Sequence, residues 1–583
     1  MPDDQIFIKL DFSNAFNSLR RDSMLEAVRR EVPEILNFCR LAYSTPSWLS
    51  FGDKWISSEM GPQQGDPLGP LLFSLTLHPL LVRLKSDIAF SYLDDVSMGG
   101  PANVVEADLL DFMRDAGDLG LSLNVGKCEV VGSNPVGLPH SFVNFKTLKP
   151  EECILLGPPL FEGPAMDDAI EARCIELQRA SSRFHLITAH DALVFLKSCM
   201  GACKMLHHLR SAPCACHPGL EKFDLLIRDA LSRITNSAIG DLEWIQASLP
   251  VGRGGLGIRS VVLLAPSAFL ASAAATWATQ FSLLPAGFGL VDDRVSVMTQ
   301  LWQSRHPLAF APLELCSKQE SWDEASIKAG LEILKSAASD AHDQARLLAV
   351  AAPHAGDWLN ALPISVCGLR LDNEAIRVAV GLRLGLKLCA PHACPCGAAV
   401  DARGVHGLSC KRSLGRSIRH SLINDLVVRA MERAKIPAVK EPVGLLRSDG
   451  KRPDGATLVP WHMGRCLAWD VTVSDTLAPS YLPATSKAGG AASELADNRK
   501  QLKYVAIRAS HEFVAIACET LGPINESGLD FLKKLSRRVS LVTGDVRECT
   551  FLLQRLSVLI QRCNSIAFSG SFCGPVDTDS NSG

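Results

Sequence analysis

The sequence IKLDFSNAF at residues 8–16 has the clustered apolar residues of a buried strand, followed by a turn at Ser13-Asn14. Asp11 then lies at the end of a strand, where its carboxylate can face a cleft. Phe16 follows five residues later and can line the same cleft. Beyond it, the spacing of apolar residues predicts a helix from about 20 to 30.

Two further segments complete this pattern. GPQQGDPLGP at 61–70 predicts a turn that opens an apolar helix, after a hairpin at 49–59, and SYLDDV at 91–96 predicts two short strands joined by a tight turn. Asp94 and Asp95 would repel each other in an apolar hairpin, so they need cations to be tolerated. A lone Asp-Asp turn is usually a solvent-exposed structural feature. Together with Asp11 and the Gln-Gly-Asp-Pro turn, this one predicts a catalytic site.

Length and composition describe a multidomain globular protein. The 583 residues suggest roughly three or four domains. A net charge of −3 argues mildly against a nucleic-acid partner, although basic islands stand at 411–420, 447–452 and 533–538. The 19 cysteines are too dispersed for a secreted disulfide framework, which indicates reduced thiols and at least one metal site. The N-terminus shows no secretory signal.

Residues 260–291 carry no charge, which raises the question of a membrane span. The segment is diluted by small and polar residues and by Pro266 and Pro285. We therefore predict a buried helix pair in a soluble core and no membrane partner.

The three N-terminal segments resemble motifs A, B and C of a reverse transcriptase palm, specifically that of non-LTR retrotransposons. GLSLNVGKCEVV at 120–131, with Asn124 and Lys127, is similar to motif D, and ILLGPPL at 154–160 is similar to the primer-grip motif E. Five motifs in the family's order over some 150 residues make a specific signature.

The resemblance implies an RNA-directed DNA polymerase. It implies two Mg²⁺ ions held by Asp11, Asp94 and Asp95, which would clamp the attacking 3′ oxygen and the leaving pyrophosphate. Phe16 would exclude a 2′-hydroxyl and so select dNTPs, with a core phenylalanine as the alternative. The remaining implied contacts are Gln64 and Gly65 at the templating pair, Tyr92 at the primer end, and Lys127 as a proton donor to the leaving group. A surface lysine is the alternative for Lys127.

One feature departs from the family. Reverse transcriptases have a fingers subdomain before motif A, whereas this sequence begins about ten residues before Asp11. We therefore expect a truncated copy or a partial gene model, in which polymerase activity by this chain alone is in question.

The sequence predicts that the middle of the chain is helical. Residues 165–240 have the three- and four-residue spacing of packed helices, as in a thumb, and 249–260 form a glycine-rich turn. An amphipathic helix with a capping box at Ser321 and Glu324 is predicted over 321–352, and another helix over 373–388. The cluster of Cys214, Cys216 and His217 is interpreted as structural.

Residues 389–410 contain a C-x-C-x9-H-x3-C pattern through Cys394, Cys396, His406 and Cys410. Three thiolates and an imidazole are the tetrahedral ligand set of a structural Zn²⁺. Cys389 and His392 are competing ligands. In the retrotransposon clade that carries a restriction-like endonuclease, a CCHC knuckle stands between polymerase and nuclease, as it would here.

The segments after the knuckle resemble that nuclease. Asp454 in KRPDGATL (451–458) and Asp470 at the end of an apolar strand in RCLAWDVTV (465–473) resemble the acids of a PD-(D/E)xK site, which would hold one or two Mg²⁺ for phosphodiester cleavage. Thr472 replaces the usual lysine. The clade places lysines on a following helix, where this chain offers Lys500 and Lys503. Glu441 is a possible third metal ligand.

The predicted fold class is α+β and multidomain, with a right-hand polymerase palm, a helical thumb and connector, a zinc knuckle and an α/β nuclease. The predicted domains are 1–160 palm without fingers, 161–260 thumb, 261–388 connector, 389–412 knuckle, 413–545 nuclease, and 546–583 a C-terminal helix with a disordered tail. The resemblance implies target-primed reverse transcription in the nucleus, with an RNA template, a DNA target and primer, and dNTPs. The alternatives are an inactive remnant that only binds nucleic acid, and an endonuclease without polymerase activity. The oligomeric state is not readable from the sequence.

Overall fold

The protein is described from a computed structural model over residues 4–132, 138–284, 292–309, 311, 316–445 and 452–572. The predicted C-terminal disordered tail, most of the basic island at 447–452 and the segment around Pro285 lie outside these residues. Within these residues the chain forms a five-stranded and a four-stranded sheet, two isolated strand pairs and a large helical region between the two sheets. This mixed content agrees with the predicted α+β class.

The N-terminal region is a five-stranded sheet covered by helices. Its strand order is β4-β5-β1-β6-β7, antiparallel except for the β6–β7 pair, while β2 and β3 form a separate hairpin. Its elements are β1 (Gln5–Leu10), α1 (Ala15–Ser18), α2 (Arg21–Glu31), α3 (Leu36–Tyr43), β2 (Ser47–Phe51), β3 (Lys54–Ser58), α4 (Gly69–Leu81), β4 (Ile88–Tyr92), β5 (Asp95–Pro101), α5 (Ala102–Asp118), β6 (Glu129–Gly132) and β7 (Lys146–Leu148). The strand, hairpin and helix predictions for this region are confirmed.

Buried and partly exposed side chains alternate along β1, so one face of the strand packs in the core and the other faces the cleft. Ile6, Ile8 and Leu10 are buried in the core that the sheet shares with α2, α4 and α5. Because successive strand residues point to opposite faces, Lys9 and the following Asp11 lie on the other side. The sequence pattern thus directs the first acid away from the core.

The middle region is helical. Its elements are α6 (Pro164–Ser181), α7 (Ala189–Phe195), α8 (Ala202–Ser211), α9 (Pro218–Thr235), α10 (Asp241–Ser248), α11 (Val261–Leu283), α12 (Asp293–Arg305), α13 (Gln319–Ala337), α14 (Ala341–Val350) and α15 (Asn373–Leu384), with a π-helical turn at Leu196–Met200. One buried core extends from Met166 to Leu386, so it crosses the predicted thumb–connector boundary at 260 without interruption. The glycine-rich turn before α11 is confirmed.

The prediction of two helices within 260–291 is wrong for the described residues up to 284. There α11 is a single helix that continues through Pro266. Proline deprives the carbonyl of Val262 of its intrahelical donor. Arg305 of α12 donates to that carbonyl at 2.9 Å and so replaces the lost bond. The N-terminal half of α11 is buried and the C-terminal half is mostly exposed. By length and composition α11 is the one described helix that could cross a membrane, but half of its most apolar stretch is buried inside the protein.

The single helix predicted over 321–352 is two helices, α13 and α14. Asp340 accepts a hydrogen bond from the backbone N–H of Asp343 at 2.7 Å and begins a new helix there. The predicted capping box is also wrong, since α13 begins at Gln319, before Ser321. The predicted helix at 373–388 is confirmed as α15, which ends where Gly385 takes a left-handed conformation.

The C-terminal region is a small strand pair followed by a three-layer α/β unit. Its elements are β8 (His392–Ala393), β9 (Ala399–Val400), α16 (His406–Ser409), α17 (Leu414–Arg433), β10 (Ala438–Lys440), β11 (Gly455–Thr457), β12 (Cys466–Ser474), α18 (Leu482–Thr485), α19 (Ala491–Lys503), β13 (His511–Glu519), α20 (Glu526–Thr543) and α21 (Glu548–Ser569). The sheet order is β10-β11-β12-β13, with β12 and β13 parallel.

The two faces of this second sheet have different coverings. Leu467, Trp469 and Val471 of β12 face α17, α20 and α21 in the larger core. Ala468 and Asp470 alternate with them and face the side on which Tyr504 follows α19. Asp470 therefore lies in the middle of β12 and not at its end, as the sequence had suggested.

Short 3₁₀ turns complete the described structure. They are Pro33–Ile35, Val125–Lys127, His140–Phe142, Pro150–Glu152, Phe184–Leu186, Val251–Arg253, Asp357–Asn360, Ser365–Cys367, Val443–Leu445 and Val505–Ala509.

Candidate active sites and metal centre

Asp11 and Asp95 reach one cleft because β1 and β5 are neighbouring antiparallel strands. Leu10 pairs with Val96, and Tyr92 pairs with Asp95 across the β4–β5 hairpin. The acid that follows β1 thus lies beside the first residue of β5. Asp94 occupies the hairpin turn, one residue before Asp95. The order of strands therefore brings motif A and motif C together, as predicted.

The backbone of Asp11 is held from the motif D side. The backbone N–H of Asn124 donates to the carbonyl of Asp11 at 2.8 Å. The buried Cys128 lies 3.4 Å from the backbone nitrogen of Asp11, which donates to its sulfur. These contacts fix the position of Asp11 from both sides of its peptide. Nothing in the sequence distinguished Cys128 from the other dispersed thiols.

A cleft of about 640 Å³ opens at these acids. Asp11, Tyr92, Asp95 and Lys127 line it, and the side-chain nitrogen of Lys127 lies 4.0 Å from Asp11 Oδ2. Partial burial and the neighbouring Asp94 raise the pKa of Asp95, while Lys9 opposes the rise. The raised pKa indicates a carboxylate cluster that gains from a bound cation.

Phe16 packs against the motif B helix. Its ring stacks on Phe73 of α4 with centroids 4.6 Å apart. Gly61 lies directly on the backbone of Phe16, where an added Cβ would stand 1.9 Å from the Phe16 carbonyl oxygen. Only glycine permits this approach, so Gly61 couples the position of the motif B turn to that of Phe16.

The motif B turn is held by residues that the sequence did not single out. Arg21, which is buried, donates to the carbonyl of Gly61 at 3.0 Å and lies over the ring of Tyr43. The Tyr43 hydroxyl in turn donates to the Asp66 carboxylate. Gln64 and Gly65 lie at the exposed tip of this turn. Their position leaves them accessible to a large ligand, as their predicted role requires.

With this geometry described, the N-terminal region can be compared with known proteins. Residues 1–157 match the family model of the reverse transcriptases (RNA-dependent DNA polymerase). That segment is a reverse transcriptase domain. The match ends close to the predicted palm boundary at 160 and contains all five predicted motifs except the last residues of motif E.

Two curated relatives match part of this chain. The "Retrovirus-related Pol polyprotein from type-2 retrotransposable element R2DM" of Drosophila melanogaster is 33% identical over 140 residues, which are 21% of this chain and 13% of that polyprotein. The "Retrovirus-related Pol polyprotein from type-1 retrotransposable element R2" of Nasonia vitripennis is 28% identical over 158 residues, 24% of this chain and 15% of that polyprotein. The predicted resemblance to reverse transcriptases of this retrotransposon class is confirmed. Each matched segment spans less than a sixth of the relative's own length.

The predicted metal ligands Cys394, Cys396, His406 and Cys410 converge in the structure, with all ligand atoms within 4.8 Å of one another. Over the described ranges this is the one group of three or more cysteine, histidine or acidic side chains that is so compact. The Cys394 and Cys410 sulfurs are 3.8 Å apart, close to the edge of a tetrahedron with Zn–S bonds of about 2.3 Å. The backbone N–H of Ala398 is the main reason that the pKa of Cys396 falls to about 6, so this thiol is ready to bind a cation.

The competing ligands make other contacts. The Cys389 thiol donates to the carbonyl of Asp401, and His392 stacks on Phe572 with ring centroids 4.2 Å apart. The cluster of Cys214, Cys216 and His217 after α8 makes contacts that stabilise the fold. Cys214 is buried, and the His217 ring accepts a hydrogen bond from the Gly219 N–H at the start of α9. The structural interpretation of that cluster agrees with these contacts.

In the C-terminal region, Asp454 lies just before β11, and one of its two carboxylate oxygens has two hydrogen-bond partners. Its Oδ2 accepts from the backbone N–H of Val471 at 2.6 Å and lies 3.0 Å from His420 Nε2. Burial opposes ionisation of Asp454, but the hydrogen bond and charge of His420, aided by Val471, outweigh burial and lower the pKa of the carboxyl. Oδ1 remains for another ligand.

Asp470 is buried beside the other acid and forms an ion pair with Lys500. Burial first, and then the charge of Asp454, raise the pKa of Asp470, while Lys500 opposes the rise. Tyr504, also buried, has its hydroxyl 3.3 Å from Asp470 Oδ1. The opposite pKa shifts of two neighbouring acids are a pattern typical of functional sites.

The remaining predicted residues take distinct places. Lys503 lies over the ring of Tyr504 and 3.2 Å from its hydroxyl, so of the two lysines Lys500 makes the ion pair with the acid. Glu441 is exposed and pairs with Arg452 at 3.0 Å. His420 and Asn424 of α17 were not predicted from the sequence as site residues. The side-chain amide of Asn424 donates to the backbone carbonyl of Asp454 at 3.1 Å. Their spacing of four residues on a helix was the available signal.

Proposed function

We propose that the N-terminal domain catalyses RNA-templated DNA synthesis at Asp11, Asp94 and Asp95. The observation that carries this proposal is the strand register, which sets the residue after β1 beside the Asp-Asp hairpin. The reverse transcriptase match of residues 1–157 supports it. The ligands are hard carboxylate oxygens around an open cleft, a donor set that suits Mg²⁺.

Each side chain then has a defined task. Two Mg²⁺ ions, when bound by the three acids, would supply charge neutralisation at the attacking and leaving oxygens. Lys127, on the rim of the same cleft, can donate a proton to pyrophosphate. Tyr92, which is exposed beside Asp95, would position the primer end. Phe16, held by Phe73 and Gly61, would exclude the 2′-hydroxyl, and the exposed Gln64 and Gly65 would contact the templating pair.

The test is primer extension on an RNA template with Mg²⁺ and dNTPs. Asp94→Asn should lower the rate by at least 10²-fold because it removes one metal ligand, an effect on the order of 3 kcal/mol or more in the barrier. Asp53→Asn, in the exposed β2–β3 turn, is the matched control and should keep the wild-type rate. Equal extension by both variants would remove the proposed assignment of the acids.

We further propose that Asp454, Asp470 and Lys500 form a Mg²⁺-dependent DNA-nicking site. The supporting observation is a pair of adjacent acids, the buried Asp470 and the partly buried Asp454, of which Asp470 is paired with a lysine that comes from a separate helix. One or two bound Mg²⁺ would supply activation of water for phosphodiester cleavage. Lys500 would stabilise the developing charge. The charge of Lys503 also acts on Asp470, and Glu441 pairs with Arg452.

Nicking of supercoiled plasmid tests this second activity. Asp454→Ala and Asp470→Ala should each abolish nicking, and Lys500→Ala should reduce it strongly because the lysine is paired with Asp470. Lys534→Ala, which removes an exposed lysine of α20 that is paired with Asp530, serves as the control and should retain the activity. Unchanged nicking in both aspartate variants would contradict the proposal.

The convergent cysteine and histidine group is proposed to hold one structural Zn²⁺. The sulfur spacing and the lowered pKa of Cys396 support a tetrahedral thiolate site. In this reading the ion adds folding energy to the segment between the two enzymatic regions and takes no part in chemistry.

Together these sites fit target-primed reverse transcription in the nucleus. The nuclease would nick a DNA target, and the exposed 3′-hydroxyl would prime copying of an RNA template. Both substrates, and the retrotransposon origin of the whole chain, belong to the proposal.

A second candidate is an endonuclease that does not polymerise unaided. It is favoured by the β2–β3 hairpin, which exposes Trp48, Phe51 and Trp55 by two thirds or more beside the motif B turn. Such apolar faces need a covering partner. Extension that appears only when an upstream fingers segment is added would support this candidate, and robust extension by this chain alone would exclude it. An inactive remnant would show neither extension nor nicking.

A further inference from the structure

An arginine cluster lies on the outer layer of the C-terminal region, away from the carboxylates of the two proposed catalytic sites. It consists of Arg433 on α17 and Arg555 on α21, which lie against Phe551, together with Arg429, which is one helical turn before Arg433 on α17. The guanidinium carbons of Arg433 and Arg555 lie 6.0 and 5.5 Å from the Phe551 ring centroid. Cation–π contacts of this kind hold arginines in place without using their N–H donors.

The cluster is only partly neutralised. Arg433 forms an ion pair with the buried Glu548. Arg429 and Arg555 have neither a hydrogen bond nor an ion pair within the described ranges. Three arginines and one glutamate leave a local charge of +2 in a chain whose net charge is −3. Desolvation, followed by the charges of Arg433 and Arg429, lowers the pKa of Arg555, which shows that the three cations act on one another.

This cluster is separate from the proposed nicking site. Arg429 is nine residues after His420 on the same helix, which places it half a turn around α17 and about 14 Å along it. A groove of about 580 Å³ beside Phe551 and Arg433 is lined by Leu362, Ile364 and Gln554, and also by Arg547, whose charge is neutralised by an ion pair with Asp545. The groove offers room beside the arginines for a bulky anionic ligand.

We propose that Arg429, Arg433 and Arg555 form a binding site for the phosphodiester backbone of a nucleic acid, distinct from both catalytic centres. Guanidinium groups present paired donors that match phosphate oxygens, and unpaired ones are free to do so. The backbone of duplex DNA and that of RNA share this chemistry. Phosphate binding here does not depend on either proposed enzymatic activity.

The salt dependence of nucleic-acid binding tests the proposal in the full-length chain. Each phosphate contact adds about 0.9 to the slope of log K against log salt for duplex DNA, and about 0.7 for single strands. The variant Arg429→Gln/Arg555→Gln should therefore reduce the slope by about 1.8 if the ligand is duplex DNA and by about 1.4 if it is single-stranded RNA, measured by fluorescence anisotropy between about 50 and 200 mM salt. A short duplex DNA and a single-stranded RNA are titrated in parallel, and the probe whose slope changes identifies the source of the phosphates.

Three controls make the result decisive. Arg29→Gln removes an exposed arginine of α2 that is paired with Glu26, and it should leave both slopes unchanged. Arg429→Gln alone removes an exposed side chain without described contacts, so it should fold normally and lower the slope by about 0.9 for duplex DNA or about 0.7 for single-stranded RNA. Arg555→Lys keeps the charge and should keep the slope while weakening affinity. Slopes that are unchanged for both probes in the double variant and in Arg429→Gln would overturn the proposal, whatever the outcome of the nicking and extension assays.

Discussion

Gly455, the residue after Asp454, shows how one position determines the geometry of a site. The backbone N–H of Asp454 donates to the carbonyl of Trp469 at 3.0 Å, which brings β11 close to β12. A Cβ on Gly455 would stand 2.0 Å from the Trp469 ring. That ring is fixed in turn, since its N–H donates to Asn424 of α17 at 2.9 Å. The glycine is therefore part of what sets Asp454 next to Asp470.

Gly455→Ala should destabilise this domain and separate the two acids. Overpacking a tight site costs about 1–3 kcal/mol, and here the obstacle is a ring with no free rotamer. Chemical denaturation should show this loss of unfolding free energy, and nicking should fall with it. Gly444→Ala is the control, because a Cβ at that position has open space. Equal stability of the two variants would contradict the packing argument.

The acids of both sites were predictable from the sequence, but the residues that hold them were not. Asp11, Asp94 and Asp95 are marked by neighbouring glycines and apolar strands. His420 is one histidine on an amphipathic helix, a context in which most histidines have no catalytic neighbour. Its contact with Asp454 depends on a pairing of elements 34 residues apart, which no local pattern encodes.

At the scale of elements, α7 is joined to the segment before α15 through a buried histidine. His190 accepts the backbone N–H of Leu371 at its Nδ1, 3.1 Å away. The side chain is almost fully buried. Desolvation, aided by Arg370, lowers the pKa of His190 to about 4, although Asp191 opposes the shift. The ring is therefore neutral in the folded protein, as an acceptor at this position must be.

The stability of the helical region should fall as the pH decreases from 7 to 5. In the unfolded chain the histidine gains a proton near pH 6.5, whereas in the folded chain it does so only near pH 4. Between these values the unfolded state binds more protons, so acid favours unfolding, by about 2 kcal/mol at pH 5. His190→Gln should remove this part of the pH dependence in denaturant titrations. His185→Gln, at an exposed position of the same region, should retain it. Identical pH profiles for wild type and His190→Gln would contradict the assignment.

The end of α21 is packed against the cysteine and histidine centre. Phe568 stands so close to Gly404 that a Cβ there would lie 2.3 Å from its ring, and Ala567 contacts Gly407 and Gly415 equally closely. His392 stacks on Phe572 and lies 3.1 Å from Ser571. The C-terminal end of α21 and the metal-binding segment therefore form one packed unit.

Removal of the proposed Zn²⁺ should loosen the end of α21. A structural ion contributes folding energy to its ligands, and the helix end packs on the segment that those ligands shape. Hydrogen exchange after chelation should show lost protection over residues 563–572 and unchanged protection in β1. Cys396→Ser should reproduce the effect without chelator. Unaltered exchange at 563–572 in both experiments would show that the packing does not need the metal.

Element boundaries were predictable where a cap or breaker acts locally and failed where tertiary contacts intervene. The strands around the N-terminal acids and α15 follow directly from their patterns. The interruption before α14 depends on the N-cap of Asp340, a signal that was present but not recognised. The continuity of α11 through Pro266 depends on Arg305, which belongs to a different helix and carries no signal in the local sequence.

At the scale of the molecule, the sequence predicted the order of regions because each carries a local motif. The regions do not pack as separate units, because some elements belong to the core of more than one region. The core of the middle helical region includes Val558 of α21, so this C-terminal helix packs against the middle region as well as against the four-stranded sheet. Such sharing cannot be read from motifs, since it depends on distant apolar residues that look alike. The predicted domain boundaries stay predictions.

The central claim is that one chain carries two separate metal-dependent sites that act in sequence on the same DNA. The most direct measurement incubates the full-length protein with supercoiled DNA, an RNA template, Mg²⁺ and dNTPs, and detects DNA product covalently joined to the nicked strand. Asp454→Ala should fail on intact DNA but extend a pre-nicked substrate, whereas Asp94→Asn should nick but not extend. If extension survives Asp94→Asn, or if nicking survives Asp454→Ala, the assignment of the two sites is wrong.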